Sequence, residues 1–289
     1  MLSILVPTYN YGVVPLAKSL LRLCERQGLE YEILFADDHS TNLTLQKHNR
    51  DFFRHTTINY IEAKENMGRS KIRNFLVDSS KGDILLFLDC DSGIIREDFI
   101  EKYLQFADKY DVVLGGTTYC DRQEIEDKYL LHWKFGKQRE ENQKHFTTNN
   151  FLIKKAVFNS IRFDEGIKGY GHEDTLLGME LSEKGYSICF IDNPVNHLGL
   201  KTKEKFLSDV LCATKNLALL YQQPKYKNYL LGITLIKAYK KLQSLHLQTL
   251  YCAVFGLFRK CAERNLHSHN PRLLYLDLIK LYTFIKQMK

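Results

Sequence analysis

The run Ile84-Leu85-Leu86-Phe87-Leu88 constrains this chain more than any other stretch. Five consecutive apolar residues read as a strand buried on both faces, as in the middle of a parallel sheet. The run ends on Asp89-Cys90-Asp91, followed by Ser92-Gly93, which reads as a turn. In open α/β sheets, ligands sit outside the carboxyl ends of the strands. Asp89 and Asp91 are therefore expected to reach a binding crevice together. Two like charges that close need a cation or hydrogen-bond donors to offset them. Hard divalent cations take carboxylate oxygens and keep positions open for phosphate. The plainer alternative is that one carboxylate caps the next helix and the other is solvated.

Two periodicities alternate around that run. Residues 3–6 read as a strand stopped by Pro7, and 31–36 and 57–61 as two more strands. Between them, Val13, Leu16, Ala17, Leu20, Leu21 and Cys24 recur at helical spacing. Residues 43–54, 68–77 and 99–110 also read as helices. Strands alternating with helices predict right-handed βαβ units and a mostly parallel sheet covered on both faces, an α/β fold. After Tyr119 the rhythm breaks. Residues 121–144 are highly charged, hold the single tryptophan, Trp133, and read as a helix or a loop over the site. Further on, 151–153 read as a strand, 175–184 as a helix stopped by Gly185, and 186–191 as a last strand.

Charge divides the chain in two. Residues 1–200 hold 25 basic and 30 acidic residues, whereas 201–289 hold 16 and 4. Such asymmetry predicts a first domain over 1–200 and a basic helical region over 201–289. Basic amphipathic helices suit an anionic membrane surface; equally, they could pack on the first domain and leave their lysines solvated. Nucleic acid fits poorly, because no nucleic-acid motif accompanies the charge. Seven cysteines without a Cys-x-x-Cys pair argue against a disulfide framework or a zinc site. Neither a signal peptide nor an apolar stretch of spanning length is evident. The expected location is the cytoplasm, with peripheral attachment to the inner face of the membrane left open by the two readings of the basic tail.

Four constellations fall at expected strand ends or turns. After the first strand, Tyr9 could stack on a base while Thr8 or Asn10 hydrogen-bonds a nucleotide, or Asn10 could cap the next helix. After the second, Asp37 or Asp38 could accept from a base or ribose, or cap the following helix. In Asn66-x-Gly68-Arg69-x-x-x-Arg73, a helix start with its N–H groups favours anions. Arg69 and Arg73 share a face suited to phosphate or to solvent. Finally, a carboxylate in Gly169-Tyr170-Gly171-His172-Glu173-Asp174 could serve as a general base, or simply complement a helix dipole. His197 follows Pro194 in an expected loop, where it could ligate a metal.

Taken in order, Ile4 to Asn10, Asp37 to Thr41, Asn66 to Ser70, Asp89-Cys90-Asp91 and Glu173-Asp174 resemble the family 2 glycosyltransferases of GT-A fold, over roughly residues 1–200. The resemblance implies a nucleoside pocket lined by Pro7, Thr8, Tyr9 and Asn10, with Asp38 or Asp37 on the base. Asn66, Arg69 and Arg73 would serve the nucleotide, and Asp89 the sugar or ribose. It also implies Mn2+ or Mg2+ on Asp91, with His197 at the position of a further ligand. The stretch 169–174 is similar to the Gly-Trp-Gly-Gly-Glu-Asp of galactosyltransferase-type enzymes, which makes Asp174 the base. Glu173, His172, Tyr170, Asn149 and Asn150 would then contact acceptor or sugar. His172 replaces a glycine of that pattern, and Asp-Asp-His-Ser replaces the usual Asp-Asp-Gly-Ser. The implied reaction is inverting transfer from a UDP-sugar to a hydroxyl of a glycan or lipid-linked acceptor. An inactive nucleotide-sugar-binding scaffold is the alternative. A nucleotidyltransferase would need a glycine-rich, arginine-containing loop after the first strand, which residues 6–12 do not supply.

Overall fold

A computed structural model describes residues 1–141, 146–167 and 171–289. In chain order, the first elements are Leu2–Thr8 (β1), Val14–Glu25 (α1), Tyr31–Asp37 (β2), Leu43–Phe53 (α2) and Asn59–Glu62 (β3). Arg69–Ser79 (α3), Ile84–Leu88 (β4), Ser92–Ile94 (β5), Phe99–Ala107 (α4), Val112–Leu114 (β6) and Thr117–Thr118 (β7) follow. Then come Leu130–Phe135 (α5), Asn150–Lys154 (β8), Lys155–Ser160 (α6), Glu173–Glu183 (α7), Ile188–Phe190 (β9) and Val195–His197 (β10). The chain ends with Lys203–Gln222 (α8), Pro224–Lys227 (α9), Thr234–Ser244 (α10), Gln248–Leu266 (α11) and Leu273–Gln287 (α12).

Among the described residues, seven strands form one sheet in the order β3-β2-β1-β4-β8-β6-β9. The β1–β2, β2–β3, β1–β4 and β6–β9 pairs are parallel, while β8 runs against both neighbours. The chain winds outward from β1 to β3 and then crosses back to place β4 on the other side of β1. That reversal makes the β1/β4 edge the switch point at which such sheets bind ligands. Pro7 lies inside β1 rather than ending it. Pairing with β4 stops at Leu5 and Phe87, two positions earlier, while the pairing with β2 continues to Thr8 and Asp37.

Alternate residues of each strand face opposite cores. Ile4, Val6, Phe35, Leu86 and Leu88 point toward α1, α2 and α4, with Leu20, Phe53 and Phe99 among the partners. Leu5, Leu34, Leu85 and Phe87 point toward α3, α6 and α7, with Leu76, Phe158 and Leu181 opposite them. Leu85 to Leu88 are fully buried; each such side chain contributes roughly 1.5–3 kcal/mol relative to exposure. The sheet is therefore covered on both faces.

A second sheet, in the order β5-β10-β7, was hidden from sequence. Its strands span two or three residues, too few to display a period of two. Ser92-Gly93 is strand rather than turn, and His197 ends a strand rather than lying in a loop, paired antiparallel with Ser92.

The chain divides into two compact units. One holds Met1–Cys120, the described part of 140–168, and Glu173–Gly199; the other holds Asp121–Arg139, the described part of 169–172, and Leu200–Lys289. The charged stretch after Tyr119 thus groups with the C-terminal helices. Within that unit, Leu131, Phe206, Phe255, Leu266, Leu276 and Ile279 form the core. His132 stacks on Phe206 with ring centres 4.5 Å apart. The nearly buried Lys203 ammonium donates to Asp127 Oδ2 (2.5 Å) and to the Ser268 carbonyl (3.0 Å).

Candidate active site

At the end of β1 the chain turns out of the sheet, and Tyr9 stands 47% exposed. Asn10 takes a left-handed conformation, φ 50°. Its side chain does not cap α1. It donates to Thr41 Oγ1 (3.0 Å) and accepts from the Asn42 N–H (2.8 Å), tying this loop to the one after β2. The Thr8 hydroxyl is buried and has no hydrogen-bond partner among the described residues.

The two acids after β2 separate in role. Asp37 is fully buried, and its carboxylate accepts from Ser40 N–H (2.8 Å), Ser40 Oγ (2.6 Å), Gln46 Nε2 (3.1 Å) and Tyr60 OH (3.3 Å). Those donors occupy the carboxylate inside the fold, which corrects the expectation that Asp37 meets the nucleotide. Asp38 accepts from the N–H groups of Met67 (2.6 Å) and Gly68 (3.0 Å), and its carbonyl accepts from Asn66 Nδ2 (2.8 Å). Burial raises its pKa, and the two N–H donors oppose that rise. The anion at the start of α3 is thus partly the protein's own. Gly68, at φ +81°, makes the turn that a side chain would strain.

Arg73 is 3% exposed, which corrects the expectation of an open phosphate-binding face. It donates to Asp89 Oδ1 (2.6 Å) and to the Arg69 carbonyl (3.2 Å), and its guanidinium lies over the Phe163 ring. It therefore orients Asp89 from within the core. Arg69 instead donates to Glu173 Oε1 (3.1 Å) at the head of α7. Glu173 is buried, and its other oxygen has no hydrogen-bond partner among the described residues. Asp174 accepts from the N–H of Thr175 (2.6 Å). Its pKa is raised to about 6, by burial first and the Glu173 charge second, against the Thr175 N–H and the Arg69 charge.

Asp91 lies just past β4, its Oδ1 3.7 Å from His197 Nδ1, and its carbonyl accepts from the Leu198 N–H (2.9 Å). Burial raises its pKa, the Asp89 charge adds to this, and His197 and Arg69 oppose it. A Cβ on Gly199 would overlap the Asp91 carboxylate, so the backbone approaches as closely as only glycine allows. One carboxylate and one imidazole can both ligate a divalent cation. Among the described residues no three His, Cys, Asp or Glu side chains gather as a complete metal site. Ligand oxygens and water would have to complete the coordination. No motif marks Tyr11 in the sequence; its half-buried phenol is raised to about 12 by burial and then by the Asp91 charge, so it stays neutral. The Tyr119 ring centre lies 5.5 Å from that of His197, and its hydroxyl donates to Glu140.

Asn150 is fully buried. It accepts from Tyr103 OH (2.6 Å) and donates to the carbonyls of Gly116 (2.9 Å) and Asn193 (3.0 Å), so it braces strands instead of meeting a sugar. Asn149 donates to Thr117 Oγ1 (2.5 Å), while its own Oδ1 is buried without a hydrogen-bond partner among the described residues. Its carbonyl accepts from the Asp89 N–H (2.9 Å). His172 has φ 76° and groups with the helical unit. Tyr170 and Gly169 lie outside the described residues.

The sheet order, the switch point and the acid-bearing end of β4 define an α/β fold of the GT-A type. The chain belongs to glycosyl transferase family 2, which it matches over residues 3–164. A Haemophilus influenzae protein named as an uncharacterized glycosyltransferase is 27% identical over 271 residues, covering 85% of this chain and 86% of that one. The fold is similar to that of S. aureus TarS in complex with UDP-GlcNAc, at TM-score 0.52 and 17% identity, over 99% of this chain and 90% of that one. It is also similar to the mannosyltransferase PcManGT from Pyrobaculum calidifontis in complex with GDP-Man and Mn2+. There the TM-score is 0.56 at 14% identity, over 97% of this chain and 85% of that one.

Proposed function

We propose that the protein is an inverting, cation-dependent transferase that moves a hexose or N-acetylhexosamine from a UDP-sugar to a hydroxyl of a glycan or lipid-linked acceptor. The observation that carries this is the position of Arg69. Its guanidinium donates to Glu173, and its charge acts on both Asp91 and Asp174. Two acids 83 positions apart in sequence therefore answer to one cation. A leaving-group end and an acceptor end within reach of each other are what a single displacement requires.

Tyr9, exposed at the end of β1, would stack on the base, with Asp38, Asn66 and the Asn10 loop shaping the nucleoside pocket. Asp89, held by Arg73, would face the ribose or donor sugar. Asp91 and His197 would hold Mn2+ or Mg2+, which when bound supplies positive charge to the departing diphosphate. Asp174, with a pKa of about 6, is ionised at neutral pH and basic enough to receive a proton. The acceptor oxygen attacks the anomeric carbon while its proton passes to the Asp174 carboxylate. The bond to the diphosphate breaks on the opposite face, and the nucleoside diphosphate leaves with the electron pair. One displacement inverts the configuration without an enzyme nucleophile.

Incubation with a panel of UDP- and GDP-sugars, Mn2+ and glycan acceptors tests this. UDP release matched by a product of inverted anomeric configuration, read by NMR, is the expected result. A product of retained configuration, or no nucleotide release from any donor, contradicts it; the latter would favour an inactive nucleotide-sugar-binding scaffold.

A further inference from the structure

Helix α11 carries apolar side chains on two faces. Inward, Phe255, Ala262 and Leu266 join the core of the helical unit. Outward, Leu250, Val254, Leu257 and Phe258 are 58, 49, 81 and 59% exposed. Leu250, Val254, Leu257 and Cys261 follow the spacing i, i+4, i+7, i+11, so they form one continuous row along the outer surface. Leu245 and Leu247, just before the helix, are exposed as well. Beside the row opens an apolar cavity of about 530 Å³, with Leu242, Leu250, Val254, Phe258 and Tyr275 in its wall. A surface helix normally shows solvent its polar side. An exposed apolar area rimmed by polar residues marks a docking surface.

The rim is basic. Lys237, Lys240 and Lys241 of α10 and Lys260 and Arg264 of α11 are all exposed. The single acid on these two helices, Glu263, is paired with Arg259 at 2.7 Å. Residues 201–289 as a whole hold 16 basic and 4 acidic residues. A second copy of the chain would bring the same positive rim against itself. An anionic bilayer offers the complement to both features, a negative surface for the rim and an apolar interior for the row. No helix among the described residues is long and apolar enough to cross a membrane. A surface-lying mode is therefore the one available to these helices.

The geometry points to peripheral docking of this face on an anionic phospholipid bilayer, with α11 in the interfacial plane and Leu257 and Phe258 inserted at the boundary of headgroups and acyl chains. Docking is separate from the transfer chemistry and stands or falls without it.

Flotation of the full chain with phosphatidylcholine vesicles, and with vesicles containing phosphatidylglycerol, tests the proposal. The expected result is recovery in the top fraction with the anionic vesicles and about tenfold less with the neutral ones. L257E/F258E, at exposed positions, should keep the native melting curve and lose about tenfold in recovery. K260E/R264E should lose the preference for anionic lipid. Sedimentation of the native chain with both vesicle types overturns the proposal, as does equal flotation of L257E/F258E. A concentration-dependent dimer in light scattering that L257E/F258E dissociates would assign the face to self-association and overturn it too.

Discussion

Arg69 Nη1 lies 3.1 Å from Glu173 Oε1, joining the head of α3 to the head of α7 across 104 positions of sequence. Glu173 is buried, and among the described residues its second oxygen has no hydrogen-bond partner, while Arg69 donates to the first. Arg69→Met is expected to lower stability by about 1–3 kcal/mol, toward the low end because the guanidinium is half exposed and screened. Arg69→Met combined with Glu173→Gln should recover part of the loss, since the stranded charge is gone. Thermal melts of the single and double variants check this; a native melt for Arg69→Met would show that the pair contributes nothing.

Asp37 serves the fold. With four donors on a fully buried carboxylate, Asp37→Ala leaves several of them unsatisfied. A loss of about 2–4 kcal/mol is expected in urea unfolding, with UDP affinity of the folded fraction little changed. A large loss of affinity with native stability would return Asp37 to the nucleotide pocket.

Asp91 supplies the carboxylate of the proposed cation site, 3.7 Å from His197. In calorimetry, Mn2+ should strengthen UDP binding to the native protein and do so at least about tenfold less for Asp91→Asn. His197→Gln should weaken the Mn2+ effect in the same direction. Equal Mn2+ enhancement in all three proteins would remove this pair from cation binding.

The Asp174 carboxyl, at about 6, gives pH a defined sign. Below that value it carries a proton and cannot accept one, so kcat/KM should rise with pH and level off above it. The folded state also holds this proton more tightly than the unfolded chain does. The stability this contributes is full below about pH 4 and lost as pH rises through about 6. Asp174→Asn is therefore expected to melt higher than the native protein at pH 7, with the gap closing toward pH 4. Scanning calorimetry at the two pH values measures it; the opposite ordering at pH 7 would mean that Asp174 is held ionised.

The parts of this molecule legible in sequence are those whose signal is local. The run ending at Leu88 announces a buried strand because apolar residues in succession fit only a strand covered on both sides. Asp89, Asp91 and Glu173-Asp174 each have a plain structural reading as a cap or a helix-dipole partner, and stand out only because they fall in order with the other motifs. Illegible were features made by distant partners. Asp37 and Asn150 look like any polar residue at a strand end until Gln46, Tyr60, Tyr103 and Asn193 close around them. Arg73 reads as facing phosphate or solvent because nothing nearby in sequence reports that Phe163 and Asp89 enclose it. The strands that carry His197 and flank Asp91 are too short to display a period.

Transfer by Asp174→Asn, measured beside its UDP affinity, tests the proposed catalysis most directly. The expected result is turnover reduced by about 10²–10⁴-fold with UDP binding unchanged. Turnover near the native rate would contradict the assignment of Asp174 as the group that takes the acceptor's proton.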